Sequence, residues 1–454
     1  MAVVRHIATP ACWRADGSLR RLGELASLTK PPLSNRGVLL QETRHKTITK
    51  IPITAYRKQK IQGVCSYGRM PFLIGGMNMN DMEFIEALKT KRNACGYSQS
   101  RLAKELHISR QNLNEIENGK TRASKEMKHT LLHYLDYCKC TQPFTLNIDY
   151  LRVRFPTTDA LEIIKNVLAM KAEYFIHEDY GLFGYEELYR YGEIIVTASK
   201  DASMGVLLEL KGMGCRHLEH VLQARKTGWY HFLSRCMDYE GIFKRLDLAV
   251  NDMGGLLDIE ILRERYYADK VWKRSRKYEG VDSGKLSGAK GDTAKTFYIG
   301  SKNSPIYFCL YEKEKEQRNK GIQTDIKNRL EIRLKNEKAG QAVEELIFSR
   351  NPEQTIASLV LMQVDFPDYI LWDIFIENMT ASLPFIMTPV AVNMDKTIRW
   401  LERQVMPSLL MIKEIEKETG ANYLEAIDRQ TRLTDKQELK IKQMTTDISD
   451  VIIG

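Results

Sequence analysis

The spacing of apolar and polar residues changes regime along this chain. Residues 1–78 hold no sustained period of either kind. Over 81–137 apolar residues recur at helical spacing. Phe84, Ile85 and Leu88 predict one helix; Leu102, Ala103 and Leu106, behind the cap residue Ser98, predict another. His107-Ile108 makes a short turn, and Ser109 caps a further helix bearing Leu113 and Ile116 that stops at Asn118-Gly119. At Thr141-Gln142-Pro143 the period drops to two. Phe144–Phe155 then reads as a strand, with Phe144, Leu146, Ile148 and Tyr150 on one face and Asn147, Asp149, Leu151 and Val153 on the other.

Further strands are predicted at Tyr191–Ala198, Met204–Lys211, Gly241–Asn251, around Tyr298 and Tyr311, and at Arg329–Lys335. Helical spacing separates them over 157–172, 216–239 and Leu257–Tyr267. From about Ala342 the pattern is helical, ending in two long charged stretches, Thr397–Thr419 and Leu424–Met444. The expected fold class is α+β: an all-α helix-turn-helix domain, an antiparallel sheet with helices on one face, and a helical C-terminal region. The expected boundaries are 1–78, 79–140, 141–340 and 341–454.

Composition adds a partner class. The 454 residues carry a net charge of +10, which points to an acidic polymer, most simply nucleic acid. Lys270–Lys295 reads as a basic Gly/Ser-rich loop suited to a nucleic-acid backbone or, equally, as a solvated insert. No apolar run approaches a membrane span and no secretory signal opens the chain, so no membrane insertion and a cytoplasmic location are expected. The cysteines read as reduced thiols, and Cys138-x-Cys140 lacks neighbours to complete a zinc site. No glycine-rich phosphate loop is present, which argues against an ATP-driven motor. Residues 1–78 are basic, with only Asp16, Glu24 and Glu42 as acids, and are expected to be a poorly ordered upstream extension, translation starting at Met77 or Met79.

Candidate chemistry comes from strand parity. GVLLELKG, FKRLDLAVND and NRLEIRLKNEK each set one carboxylate, Glu209, Asp247 or Glu331, flanked by cations on the face away from the core. Oxygen-only ligands favour a hard dication, Mg²⁺ or Mn²⁺. Tyr311 ends a strand whose Ile306, Phe308 and Leu310 face the other way. Alone it reads as a packing tyrosine; beside a metal it becomes a nucleophile for a phosphodiester. A phenol titrates near 10, so phenolate is a better leaving group than a sugar alkoxide and the cut strand can be resealed without ATP. Arg245, Lys302, Lys313 and Lys315 are the cations expected to hold phosphates.

These residues carry two resemblances. SQSRLAKELHISRQNLNEIENGK resembles the Cro/phage-repressor helix-turn-helix, which implies that Ser109 opens the recognition helix and that Arg110, Gln111, Asn112 and Asn114 face the major groove. LELKGMGCR, RLDLAVND, TFYIGSKNSPIYFCLYEKEKEQ and RLEIRLKNE together resemble the replication-initiation-factor (MOBT) family of conjugative-element relaxases and Gram-positive rolling-circle initiators. That resemblance implies an HUH-like sheet without its paired histidines, Tyr311 as nucleophile with Tyr298 as competitor, and metal acids at Glu209, Asp247 and Glu331. It implies a relaxase that binds double-stranded DNA at an origin and single-stranded DNA at the nick. The product would be a 5′-phosphotyrosyl link and a free 3′-OH, and the protein partners a coupling protein, helicase or accessory DNA-processing protein. The alternatives are a plasmid replication initiator with the same chemistry and, in another class, a transcriptional regulator.

Overall fold

In the computed structural model the described residues are 81–284 and 293–453; the upstream-extension expectation, with Lys285 and Lys290, lies outside them. Four helices come first: α1 (Asp81–Ala94), α2 (Gln99–Glu105), α3 (Arg110–Glu117) and α4 (Lys125–Tyr137). Ser98 and Ser109 cap α2 and α3, each accepting a backbone N–H, from Arg101 and Asn112. Leu88, Leu102, Leu113 and Leu131 are fully buried between the helices, each worth roughly 1.5–3 kcal/mol of apolar transfer. The tight turn between α2 and α3 sets His107 in the left-handed region at φ 52°.

The strands are β1 (Phe144–Phe155), β2 (Ile176–Glu178), β3 (Glu187–Tyr191), β4 (Ile194–Ala198), β5 (Val206–Lys211), β6 (Ile242–Asp252), β7 (Trp272–Lys273), β8 (Tyr278–Ser283), β9 (Ala294–Ile299), β10 (Ile306–Tyr311), β11 (Asn328–Lys335) and β12 (Val364–Asp365). Ten of them form one antiparallel sheet in the order β2-β3-β4-β5-β1-β6-β11-β10-β9-β8. Its apolar face is covered by helices: α5 (Met213–Ala224) lies against β1, β4 and β5, α7 (Ile259–Tyr267) against β9, and α9 (Glu337–Ser349) against β6 and β11. Between α5 and α7 runs α6 (Trp229–Asp238), and α8 (Lys313–Asn319) follows β10.

Several expectations need correction. Tyr191–Ala198 is not one strand: the chain doubles back at Gly192, at φ +54°, and residues before it form β3. Residues 216–239 are two helices, α5 and α6, and helical backbone in 157–172 is limited to Ala160–Val167 before a 3₁₀ turn. The Lys270–Lys295 segment is partly sheet, since β8 pairs with β9 as an edge strand whose residues are all exposed. The faces of β1 exchange at Asp149, where Ile148 pairs Leu248 but Tyr150 pairs Asp247. This bulge puts Leu151 and Val153 in the core with Leu146 and Ile148, and turns Tyr150 onto the polar face.

Beyond the sheet lie α10 (Pro352–Leu361), α11 (Ile370–Ala381), α12 (Asp395–Trp400), α13 (Met406–Thr419), α14 (Tyr423–Gln430) and α15 (Asp435–Thr445). The predicted Leu424–Met444 helix is therefore broken between α14 and α15. Helices α12 to α14 bury no residue, whereas α15 returns to the β2–β3 edge, where buried Gln443 donates to the carbonyls of Tyr174 and Arg190. Among the described residues no helix is long and apolar enough to cross a membrane.

Candidate active site

Strands β5, β1, β6, β11 and β10 are consecutive in the sheet, so their polar positions form one continuous surface. Tyr311, Glu331, Asp247 and Glu209 all lie on it, each at most 9% exposed. Strand parity accounts for this, because β5, β10 and β11 alternate without interruption and β6 does so from Arg245 onward, past an irregularity at Lys244.

The Tyr311 hydroxyl donates to Glu331 Oε1 at 2.7 Å. Arg329 stands opposite Tyr311 across the β10–β11 ladder, donates to Asn251 Oδ1 at 2.7 Å and approaches Asp149 at 3.5 Å. Burial raises the Tyr311 phenol far above its ordinary range; the Arg329 charge opposes the shift and the Glu331 charge adds to it. Lys313 holds its ammonium 5.4 Å above the Tyr311 ring and pairs with Glu316 at 2.9 Å. Burial lowers the Lys313 amine.

Arginines link this end of the surface to the other. Arg333 donates to Glu331 Oε2 at 2.6 Å and lies 3.7 Å from Asp247 Oδ2. Arg245 grips Asp247 through two bonds of 2.8 and 2.6 Å, and its guanidinium stacks 4.0 Å over Tyr150. Tyr150 in turn donates to Glu209, which also accepts from Arg152 at 2.5 Å. The buried Arg152 Nε has no hydrogen-bond partner among the described residues.

Glu209, Asp247 and Glu331 therefore run diagonally across the sheet, each held by its own arginine. The backbones of β5 and β11 are three strand spacings apart, about 14 Å. Among the described residues the three do not make a group whose ligand atoms lie within 4.8 Å of one another. Asp247 and Glu331 are the close pair: burial raises the Asp247 carboxyl, its arginines oppose that, and the Glu331 charge adds to it. Two neighbouring buried carboxylates offer the oxygen donors that a hard dication takes, and its charge would offset the burial of Asp247.

The remaining candidates are distributed as follows. Tyr298 on β9 stands between Cys309 on β10 and the exposed Glu279 on β8, and burial raises its phenol to about 12. Lys302 is exposed, paired with Glu279 at 3.0 Å and 4.8 Å above the Tyr298 ring. Lys315 pairs with Glu312 at 2.8 Å. On α3, Ser109, Arg110, Gln111 and Asn114 are exposed and Asn112 half-buried. Gln111 donates to Glu115 at 3.0 Å, and Asn114 accepts from Asn118 at 3.0 Å.

Sequence reasoning passed over Tyr150, Arg152 and Asn147. The signal was present: apolar residues Ile148 and Leu151 are three apart, a spacing that a period of two cannot bridge without an extra residue. Asn147 packs into the same polar layer, accepting from Asn251 at 2.6 Å and donating to the Ile386 carbonyl at 3.1 Å.

Comparison with known proteins gives three family matches: Replication initiation factor over residues 241–427, Rolling Circle replication initiation protein N-terminal domain over 145–235, and Helix-turn-helix over 88–137. The putative DNA relaxase NicK of Bacillus subtilis strain 168 is 31% identical over 329 residues, spanning 68% of this chain and 93% of that protein. The rolling circle replication initiator protein from Geobacillus stearothermophilus is 24% identical, with a TM-score of 0.47 over 54% of this chain and 99% of its own.

Proposed function

The chain belongs to the replication initiation factor family that includes a DNA relaxase, and from that premise we propose that it is a site- and strand-specific DNA nicking-closing enzyme that starts conjugative transfer and rolling-circle replication. The hydrogen bond from Tyr311 to Glu331 carries the proposal in its detail. Tyr311 Oη attacks the scissile phosphorus and passes its proton to Glu331 Oε1. The bond from phosphorus to the 3′ oxygen breaks as the bond to Oη forms, and the departing 3′ oxygen takes a proton from water. This leaves a 5′-phosphotyrosyl ester and a free 3′-OH, and the reverse attack reseals the strand.

Arg329 offsets the charge that develops on the phenol oxygen, and Lys313 meets the incoming phosphate above the ring. Asp247 and Glu331 would hold Mg²⁺ or Mn²⁺, with Glu209 ordering Tyr150 and Arg152 at the far end of the surface. When bound, the dication would polarise the scissile phosphate. Helix α3 reads duplex DNA through Arg110, Gln111, Asn112 and Asn114, with Ser109 fixing its first turn. Arg245, Lys302 and Lys315 line the path of the single strand.

A suicide oligonucleotide carrying the origin tests this reading. Wild-type protein becomes covalently linked to it, with the modified peptide at Tyr311; Tyr311→Phe forms no adduct and keeps duplex binding. An adduct that survives in Tyr311→Phe and disappears in Tyr298→Phe would move the nucleophile to Tyr298. Adduct formation undiminished in EDTA would remove the dication.

A further inference from the structure

A second group of metal-binding side chains lies away from the nicking surface, at the seam between the helix-turn-helix domain and the sheet domain. His129 and His133 stand one turn apart on α4, with rings stacked at 5.8 Å and 10°. Both face Asp258, which caps the N-terminus of α7 and is 4% exposed. Asp258 Oδ1 is occupied by the backbone N–H groups of Glu260 and Ile261, both at 3.1 Å. Its Oδ2 is left to the imidazoles, 2.5 Å from His129 Nδ1 and 3.5 Å from His133 Nε2.

The protonation of His133 follows from its other contact. Its Nδ1 lies 2.5 Å from the Gly255 carbonyl, an acceptor only, so Nδ1 carries the proton. In the neutral ring Nε2 then presents a lone pair to a carboxylate oxygen. That lone pair and the Asp258 carboxylate point into one gap, which a metal cation would fill. A backbone carbonyl that fixes the remote nitrogen is the support that metal-bound histidines ordinarily have. The three ligand atoms lie within 4.8 Å of one another. Around a tetrahedral ion with bonds of about 2.0–2.1 Å, ligand atoms sit about 3.3 Å apart, so only a small opening of the His129–Asp258 contact is needed. Two imidazoles and one carboxylate suit zinc rather than the oxygen-seeking dication of the nicking surface.

We propose that His129, His133 and Asp258 form a zinc-class metal site that clasps the DNA-reading helices to the nicking sheet. The clasp adds to the seam's ion pairs, Lys125 with Glu260 and Glu264, and Arg265 with Glu126 at 2.8 Å. With metal bound, α3 is held in a fixed orientation to Tyr311, so duplex recognition sets the distance to the nick.

The test uses the full chain stripped of metal and titrated with Co²⁺ alone. The expected result is the visible spectrum of tetrahedral cobalt at one ion per chain, displaced by Zn²⁺. His129→Ala and His133→Ala should each weaken the ion tenfold or more. Melting temperature should rise with Zn²⁺ in the wild type, fail to rise in either variant, and be unmoved by Mg²⁺ at equal concentration. A wild-type protein with no tetrahedral spectrum and no zinc-dependent melting shift would overturn the proposal, whether or not the variants fold. Variants that fold, by circular dichroism, and still bind cobalt as tightly as wild type would overturn it as well.

Discussion

Helix α3 and the polar face of the sheet, the two surfaces proposed to meet DNA, hold their side chains in opposite ways. Arg110, Gln111 and Asn114 are exposed, and their few bonds go to neighbours on the same helical hairpin. Tyr311, Glu331, Asp247 and Arg329 are buried and tied into one network. The difference follows from the task. A base edge is read by an approaching group that gives up water only on contact, so exposure and adaptability serve it. Proton transfer in a transition state needs a fixed donor and acceptor in a medium of low dielectric. Losing a buried partner should therefore cost far more than losing an exposed reader.

The sharpest break in that contrast is Glu331→Gln. The amide keeps the shape and can still accept the Tyr311 hydroxyl, but it can neither take the proton nor hold the dication as a carboxylate would. Nicking of a single-stranded substrate is expected to fall by about 10²–10⁴-fold, with duplex affinity unchanged. A gel assay of both properties on one preparation checks it; a loss below tenfold would mean that Glu331 is not the acceptor. The expected loss in Arg110→Ala is smaller and of the other kind, about 1–3 kcal/mol of duplex affinity at constant salt. Cleavage of a pre-melted origin strand should be preserved. Equal losses in binding and cleavage would show that the helices and the sheet do not act as separate modules.

How much of this was legible in the sequence depended on whether parity ran unbroken. The strands bearing Tyr311, Glu209 and Glu331 keep a period of two throughout, and the one bearing Asp247 keeps it from Arg245 onward, so the shared face could be read directly. Parity gives the face and not the neighbour. Nothing in it says that β1 lies between β5 and β6, which spreads the three acids along a diagonal. The bulge at Asp149 reversed the reading of Tyr150 because one extra residue exchanges every side chain beyond it. Strand β8 left no trace because an edge strand exposed on both faces has no apolar period to detect. The grouping of His129 and His133 with Asp258 joins residues far apart in the chain, so only the docking of α4 on α7 reveals it.

Glu316 stands between the two extremes and tests whether the contrast is graded. It is half-buried on α8, paired with Lys313 at 2.9 Å and with Lys320. Burial raises its carboxyl, but hydrogen bonds from Lys320 and Lys313 outweigh that and bring it down to about 2 from 4.5. The folded-state value is depressed, so the pair contributes stability above the unfolded value near 4.5 and loses it as pH falls through about 2. Solvent screening on this surface limits the contribution to about 0.5 kcal/mol. Urea denaturation of Glu316→Gln should therefore show a small deficit against wild type at neutral pH, closing as the pH drops from about 4.5 toward 2. Because Glu316 only positions Lys313 above the Tyr311 ring, nicking should change by less than in Glu331→Gln. A gap in stability that widens on acidification would reverse the assigned sign, and a nicking loss as large as that of Glu331→Gln would place Lys313 and its partner inside the reacting network.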